Sequence, residues 1–449
     1  MGHPTFGTAD VSRTAPTAAA FGSSGVRGPF ATLATPELAL AIGRAVGSIR
    51  RRGVVGRDAR TTGYALGAAA VAGMLSSGAE VRIAGIAPTP AIAYAARRDD
   101  AGLVVTASHN PAPDNGFKLW EPDGRAFGME ARATVERLLR EPPPLASWEA
   151  VGSASPAPHV VADHAARVLE IAGPLARRLR VVLDCGNGAA SVGSPAMLRE
   201  LGCDVVTLNA QADGHFPGRP SEPSEANLTA LRKAVVATGA DLGIAHDGDA
   251  DRCMIVTHKG RYVGGDELLL LFAQRHAGAT IVCPVDASRT IEDASGCKVL
   301  RTKVGDAFVS EKLAEVGGAF GGEASGAWIF PKMSYCPDGP LAAAMVCAMV
   351  AQRGAMEDQV AALPRYPIFR SAWRLDPSEM APAMGRFREA LSDGKLNELD
   401  GLRADFADGW VLVRPSGTEP KLRVTVEAVD EPALERLKAR VSRVQPLKS

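Results

Sequence analysis

The chain has 449 residues, 46% of them apolar and 22% charged, and its 50 basic side chains balance 50 acidic ones. That length exceeds one ordinary core and predicts three or four domains. The charge balance gives no electrostatic argument for a nucleic acid or an anionic membrane as partner, so any anion site must be local.

The first twenty residues lack the apolar core of a signal peptide. Phe6 also stands where a myristoylation pattern wants Ser or Thr. Next comes FGSSGVRGPF (21–30), in which Gly22, Gly25 and Gly28 flank Arg27. The expectation is a flexible loop: either a glycine-rich tail or a place where Arg27 meets an anion. GVVG (53–56) reads as a short strand. GMLSSGAEVRIAG (73–85) reads as helix, Gly, strand, and MLRELGCDVVTLN (197–209) and KLAEVGGAFGG (312–322) repeat the pattern. Gly78, Gly202 and Gly317, 124 and 115 residues apart, suit helix C-caps. The repetition predicts three related α/β domains, unless it is a chance recurrence of a common turn.

VVTASHNPAPDNGFK (104–118) runs from a strand-like end into Ser108, His109 and Asn110, stopped by Pro111. A nucleophile with its base, a metal site and a polar turn are all open readings. Adjacent residues of an extended segment point to opposite sides, which disfavours a Ser–His pair. GxSxG is absent as well. A phosphate-carrying Ser108 fits better. EPPPLASWEAVGSASPAPH (141–159), with five prolines, reads as a linker at a domain boundary. Beyond it, strand-like RVVL (180–183) and TIVCPV (280–285) alternate with helical patterns, which argues for parallel βαβ units.

DLGIAHDGDADRCMIV (241–256) places Asp247, Asp249 and Asp251 at alternate positions after a strand. Either this is a solvated acidic turn, or the three carboxylates converge on a hard cation such as Mg²⁺ or Mn²⁺. Apolar flanks make close like charges costly without a cation. An EF-hand fits poorly, because Arg252 and His258 occupy its sixth and twelfth positions. Mg²⁺ needs six ligands, so an outside oxygen should join, and a phosphate on Ser108 would supply it. FGGEASGAWIF (320–330) brackets Glu323 and Ser325 with glycines, as a plain turn or as a contact for sugar hydroxyls. LAAAMVCAMVA (341–351) is too short to span a membrane and reads as a buried helix. After a softer break at 361–370, strand WRL, helix MAPAMGRFREAL, strands GWVLVR and KLRVTVEAV and helix PALERLKARVSRV predict an α+β domain. Within it, VRPSGTEPKLRV (413–424) offers Arg414, Ser416, Gly417, Thr418 and Arg423 as phosphate donors, or is an ordinary hairpin turn. Seven scattered cysteines without a CxxC pair suggest reduced, packed thiols and a cytoplasmic protein.

Together these motifs resemble the α-D-phosphohexomutase family. TASHNP with NGFK, DGDADR, GGEASG and RPSGTEP carry the resemblance, joined by SSGVRG, TKVGD and DGHFPGRPSEPSEANL, and they span nearly the whole chain. The resemblance implies an α/β, four-domain architecture: three related α/β domains and a C-terminal α+β domain around a central cleft. The boundaries expected here are 1–145, 158–256, 257–364 and 365–449. It also implies phosphoserine at Ser108, Mg²⁺ held by Asp247, Asp249 and Asp251 with that phosphate, and a hexose 1,6-bisphosphate activator. Arg27, His109, Lys118 and Arg252 would surround the transferring phosphoryl group, with Lys118 a general base of depressed pKa. Glu323 and Ser325 would meet sugar hydroxyls. Lys303, Gly305 and Asp306 would face the substrate. Arg414, Ser416, Gly417, Thr418 and Arg423 would clamp the non-reacting phosphate.

The implied reaction interconverts a hexose 6-phosphate and its 1-phosphate. RPSGTEP and TKVGD lean toward the phosphoglucosamine mutase subgroup, with phosphomannomutase/phosphoglucomutase as the alternative. A Mg²⁺-dependent phosphatase and a non-enzymatic sugar-phosphate sensor are further alternatives. The expected partner is a small phosphosugar, with neither nucleic acid nor membrane. SGAWIFP and YCPDG resemble archaeal members. Ala327 stands where many relatives carry His, and Ala324 where Met or Gln is usual.

Overall fold

The apolar runs form four sheets in a computed structural model that describes residues 22, 25–415 and 421–444. The first sheet contains β1 (Val26–Pro29), β2 (Arg52–Arg57), β3 (Glu80–Ile86), β4 (Ala101–Val105), β5 (Asp114–Trp120) and β6 (Ala154–Pro156), in the order β1-β5-β4-β2-β3-β6. β7 (Arg180–Asp184), β8 (Asp204–Leu208), β9 (Leu242–His246) and β10 (Cys253–Thr257) make the second, ordered β10-β9-β7-β8. The third holds β11 (Thr280–Pro284), β12 (Lys298–Thr302), β13 (Phe320–Glu323) and β14 (Ala327–Ile329), ordered β12-β11-β13-β14.

Read from the shared strands, the three sheets have one topology. A central strand (β2, β7, β11) pairs in parallel with the next strand on one side (β3, β8, β12) and the one after on the other (β4, β9, β13). The latter then turns into an antiparallel partner (β5, β10, β14). The repeated helix–Gly–strand segments belong to this scaffold. Gly78, Gly202 and Gly317 all have positive φ, and each stands just after a helix: Gly63–Ser76, Ser194–Glu200 and Asp306–Val316. β4 and β9 are buried along their whole length, which explains their unbroken apolar sequences.

Two expectations need correction. The proline-rich stretch is not a bare linker: Ala154–Pro156 pairs with β3 and adds an edge strand, a position where proline's missing N–H does no harm. Arg27 does not lie in a flexible loop but on β1, opposite Gly116 of β5. A Cβ on Gly116 would stand 2.1 Å from the Val26 carbonyl oxygen, so glycine permits this approach.

The last sheet, entirely antiparallel, is ordered β15-β19-β18-β17-β16. Its strands are β15 (Ile368–Arg374), β16 (Lys395–Asn397), β17 (Leu402–Phe406), β18 (Gly409–Pro415) and β19 (Lys421–Ala428). Helices Pro377–Ala390 and Glu431–Val444 pack on it through Phe387, Leu437 and Val441. One apolar core runs through the second and third units, from Leu183 and Ile255 to Phe320, Trp328 and Leu341, whereas the first and last units have their own. The helix Gly339–Arg353, almost wholly buried, lies in that shared core and is capped by Asp338, which accepts from the Leu341 N–H. No helix of the described residues is long and apolar enough to cross a membrane, and all seven cysteines are free.

Candidate active site

Three motifs occupy the same place in the three repeated sheets. Ser108 lies between β4 and β5, the Asp cluster between β9 and β10, and Ala324–Gly326 between β13 and β14. The shared topology brings these hairpins together. A Cβ on Gly248 would stand 2.5 Å from the Ser108 carbonyl oxygen, so only glycine lets the metal-type loop close on the serine loop. Thr89 adds a second tie, its N–H reaching the Asp249 carbonyl at 2.8 Å and its hydroxyl the Asp249 carboxylate at 2.5 Å.

Ser108 is buried, with φ +49°. Its hydroxyl donates to Asp247 Oδ2 at 2.7 Å, whereas His109 Nδ1 lies 3.4 Å from it. The extended geometry assumed for Ser108 and His109 is therefore absent, and the left-handed turn lets the two side chains approach. Even so, the short contact is with the carboxylate. Burial and the nearby Arg252 and Arg27 push the His109 pKa down to about 3, so its imidazole is neutral at neutral pH.

Asp247, Asp249 and Asp251 are all buried, and each offers a carboxylate oxygen within 4.8 Å of the others. Burial and the neighbouring Asp251 and Asp249 push the Asp247 carboxyl well above its usual range. Asp249 Oδ1 has no hydrogen-bond partner among the described residues. Hard oxygen donors, mutual repulsion and an orphaned buried oxygen fit a divalent cation.

Lys118 on β5 departs from expectation. It donates to Asp249 at 2.7 Å and also to Asp251. Burial alone would lower its pKa, but the two carboxylates outweigh burial and raise it. With Asp249 and Asp251 as its direct partners, the Lys118 pKa is raised instead of depressed, and these are the carboxylates that a cation would engage.

A cavity of about 270 Å³ opens beside these groups, lined by Arg27, Ser108, His109 and Arg252 on one side and Gly305, Asp306, Glu323 and Ser325 on the other. Arg252 is anchored to Glu222 at 2.9 and 3.1 Å. Glu323 accepts the Gly305 N–H at 2.7 Å, and burial with Asp306 beside it pushes its carboxyl up to about 8. Lys303 is exposed, its Nζ 5.9 Å above the Phe308 ring. A second cavity of about 490 Å³ contains Arg370, Arg414, Lys421 and Arg423 together with Asp286. Arg414 and Arg423 face each other across β18 and β19, a like-charge pairing that an anion would relieve. Ser416, Gly417 and Thr418 lie outside the described residues.

Several residues of these cavities escaped the sequence reading. Arg370 and Asp286 sit on or just after ordinary strands and carry no motif signal, whereas Lys421 lies within VRPSGTEPKLRV but is not among the residues read there as donors. Glu222 lies in DGHFPGRPSEPSEANL, a segment that shares in the resemblance but is given no residue role by it.

Models of the phosphoglucomutase/phosphomannomutase alpha/beta/alpha domains I, II and III match residues 18–143, 162–260 and 264–366, and that of the C-terminal domain matches 377–444. The chain is 49% identical over 422 residues to a "Probable phosphoglucosamine mutase" of Methanocella arvoryzae, covering 93% of this chain and 96% of that one. It is 46% identical to a protein of the same name from Methanosarcina acetivorans, over 92% and 96%. Among solved structures, a phosphoglucomutase/phosphomannomutase family protein of Burkholderia thailandensis superposes with a TM-score of 0.87 at 29% identity, covering 95% of this chain and 97% of that one.

Proposed function

The chain belongs to the phosphoglucomutase/phosphomannomutase family and is a phosphohexomutase, an isomerase, and on that premise we propose that it interconverts glucosamine 6-phosphate and glucosamine 1-phosphate. The names of the archaeal relatives support this sugar. The observation that carries the mechanism is the Ser108 hydroxyl, 2.7 Å from Asp247 at the edge of three clustered carboxylates.

In this reading Ser108 carries a phosphoryl group. It passes that group to the free hydroxyl of the bound sugar monophosphate, giving a 1,6-bisphosphate and an unmodified Ser108. The intermediate then turns over, and its other phosphate returns to Ser108. A hexose 1,6-bisphosphate activates by rephosphorylating Ser108 when the intermediate is lost. Asp247, Asp249 and Asp251 would hold Mg²⁺, which when bound withdraws charge from phosphoryl oxygens. Arg27 and Arg252 add positive charge beside the transferring group, Lys118 would take the proton of the attacking hydroxyl once Asp249 and Asp251 are engaged by the cation and would return it to Ser108, and neutral His109 offers a hydrogen bond. Glu323, protonated at neutral pH, and Ser325 meet sugar hydroxyls alongside Gly305 and Asp306. Arg414 and Arg423, with Ser416, Gly417 and Thr418, grip the phosphate that is not reacting. Lys303, exposed beside the cavity-lining stretch Val304–Asp306, would face the substrate as well.

The test has two arms. Ser108→Ala should abolish turnover of every sugar phosphate, and full activity would end the mechanism. kcat/KM should then be compared across glucosamine, mannose and glucose phosphates, with the bisphosphate and Mg²⁺ present. A preference for mannose or glucose of about tenfold, roughly 1.4 kcal/mol, would overturn the choice of sugar. Inorganic phosphate should not accumulate, because a mutase conserves it.

A further inference from the structure

We propose that Asp58 and Arg60 are the positioning residues of the phosphoryl carrier, holding Ser108 at its transfer angle from both sides of its main chain. The inference rests on the reading of Ser108 as that carrier. Arg60 is fully buried, and every one of its five guanidinium N–H groups has an assigned partner. Nε donates to Asp58 Oδ2 at 3.0 Å. Nη1 donates to the carbonyls of Pro111 at 2.6 Å and Asp114 at 2.8 Å. Nη2 donates to those of Ser108 at 2.8 Å and Asn110 at 2.7 Å. One side chain thus fastens the serine loop at four points along 108–114.

Asp58 works the other side. It accepts the Thr106 hydroxyl at 2.6 Å, and Thr106 Oγ1 in turn accepts the Ser108 N–H at 2.8 Å. The N–H and the carbonyl of Ser108 are therefore both tied to one buried ion pair. This restraint acts where it is needed, because Ser108 holds φ +49°, a conformation that costs a non-glycine residue energy unless its surroundings fix it. Neither Asp58 nor Arg60 touches the Ser108 hydroxyl, so their action runs through the backbone.

The second unit repeats the device. Asp184, at the end of central strand β7 as Asp58 follows central strand β2, binds the buried Arg219 Nε at 2.8 Å. Arg219 then reaches the His246 carbonyl, next to Asp247, at 2.6 Å. Two equivalent Asp–Arg pairs therefore brace the two loops that must meet. A lysine in place of Arg60 would offer three donors from one point and could not span its four carbonyls, nor could one in place of Arg219 span the carbonyls of Pro220, Ser221 and His246.

The test uses Arg60→Lys in the full chain, assayed with glucosamine 6-phosphate, its 1,6-bisphosphate and Mg²⁺. Circular dichroism and melting temperature establish that it folds, and intact mass establishes that Ser108 is phosphorylated. A displacement of about 1 Å can cost about 10²-fold in rate. The expected result is a fall in kcat of that order with KM within about threefold, and an equally slow single-turnover transfer from the phosphorylated enzyme. A folded, phosphorylated variant with kcat within threefold of the parent overturns the inference, and so does a raised KM with kcat unchanged. If Arg60→Lys does not fold, Thr106→Val removes only the hydroxyl that accepts the Ser108 N–H. It should lose kcat about tenfold at constant KM, and an unchanged kcat overturns the inference. Failure of the carrier reading would look different, as activity in Ser108→Ala.

Discussion

Glu323 shows how one buried carboxyl couples stability to pH. Burial, with Asp306 next to it, raises its pKa from 4.5 to about 8. The folded protein therefore keeps a proton that the unfolded chain gives up near 4.5. The associated stability is complete below about pH 4.5 and drains away as pH climbs toward 8. Glu323→Gln carries a permanently neutral amide and loses that slope. Melting temperature followed from about pH 5 to 8 in metal-free protein should fall less steeply in the variant than in the parent. Parallel curves would refute the assignment of the shift to Glu323.

At the scale of elements, the hairpins matter more than the strands that bear them. Gly248→Ala places a methyl 2.5 Å from the Ser108 carbonyl oxygen, and the backbone there cannot easily yield. The expected outcome is a loss of Mg²⁺ affinity and a kcat at least about tenfold lower, with the fold intact by circular dichroism. Titrating Mg²⁺ against activity measures both, and a parental Mg²⁺ response would contradict the close approach. The four-unit α/β and α+β fold was legible in the sequence, because β-branched runs, glycine C-caps and a proline-rich stretch are local signals. TASHNP and DGDADR were legible for a similar reason, each being a dense cluster of polar residues at a strand end. What escaped depends on distance along the chain. Asp58 and Arg60 look like turn residues until Pro111 and Asp114 fold over them. The assumption that Ser108 is extended failed because its turn is enforced by Arg60, 48 residues away. β16 and β17 were missed because their short, mixed sequences acquire strand character only by pairing, β17 with β18 and β16 with β17.

On the scale of the whole molecule, the cores predict how the protein comes apart. The second and third units share one apolar core and should unfold together, whereas the last sheet meets the third unit across a small seam of Val285, Trp410 and Leu412. Polar ties reinforce that seam: Arg289 N–H to Glu427 at 2.8 Å, Arg289 Nη1 to the Phe406 and Ala407 carbonyls at 3.1 Å each, and Arg403 to the Val285 carbonyl. Calorimetry should resolve the C-terminal unit as a separate transition. Arg289→Ala should lower that transition, by about 4–8 °C per kcal/mol lost for a unit of this size. It should also raise KM more than it lowers kcat, since Arg414 and Arg423 ride on the displaced sheet. A single transition that shifts as a whole would show tighter coupling than the seam provides.

The equivalent placement of the three hairpins also bears on how such a protein can change over generations. On the proposed reading, three scaffolds of one topology divide the labour, so that one would handle the cargo, one the charge and one the identity of the sugar. Ala324–Gly326 can then drift toward a new sugar while the serine and aspartate loops, braced by their own Asp–Arg pairs, stay as they are. A lineage built this way can acquire new substrates through a three-residue stretch without reinventing its chemistry.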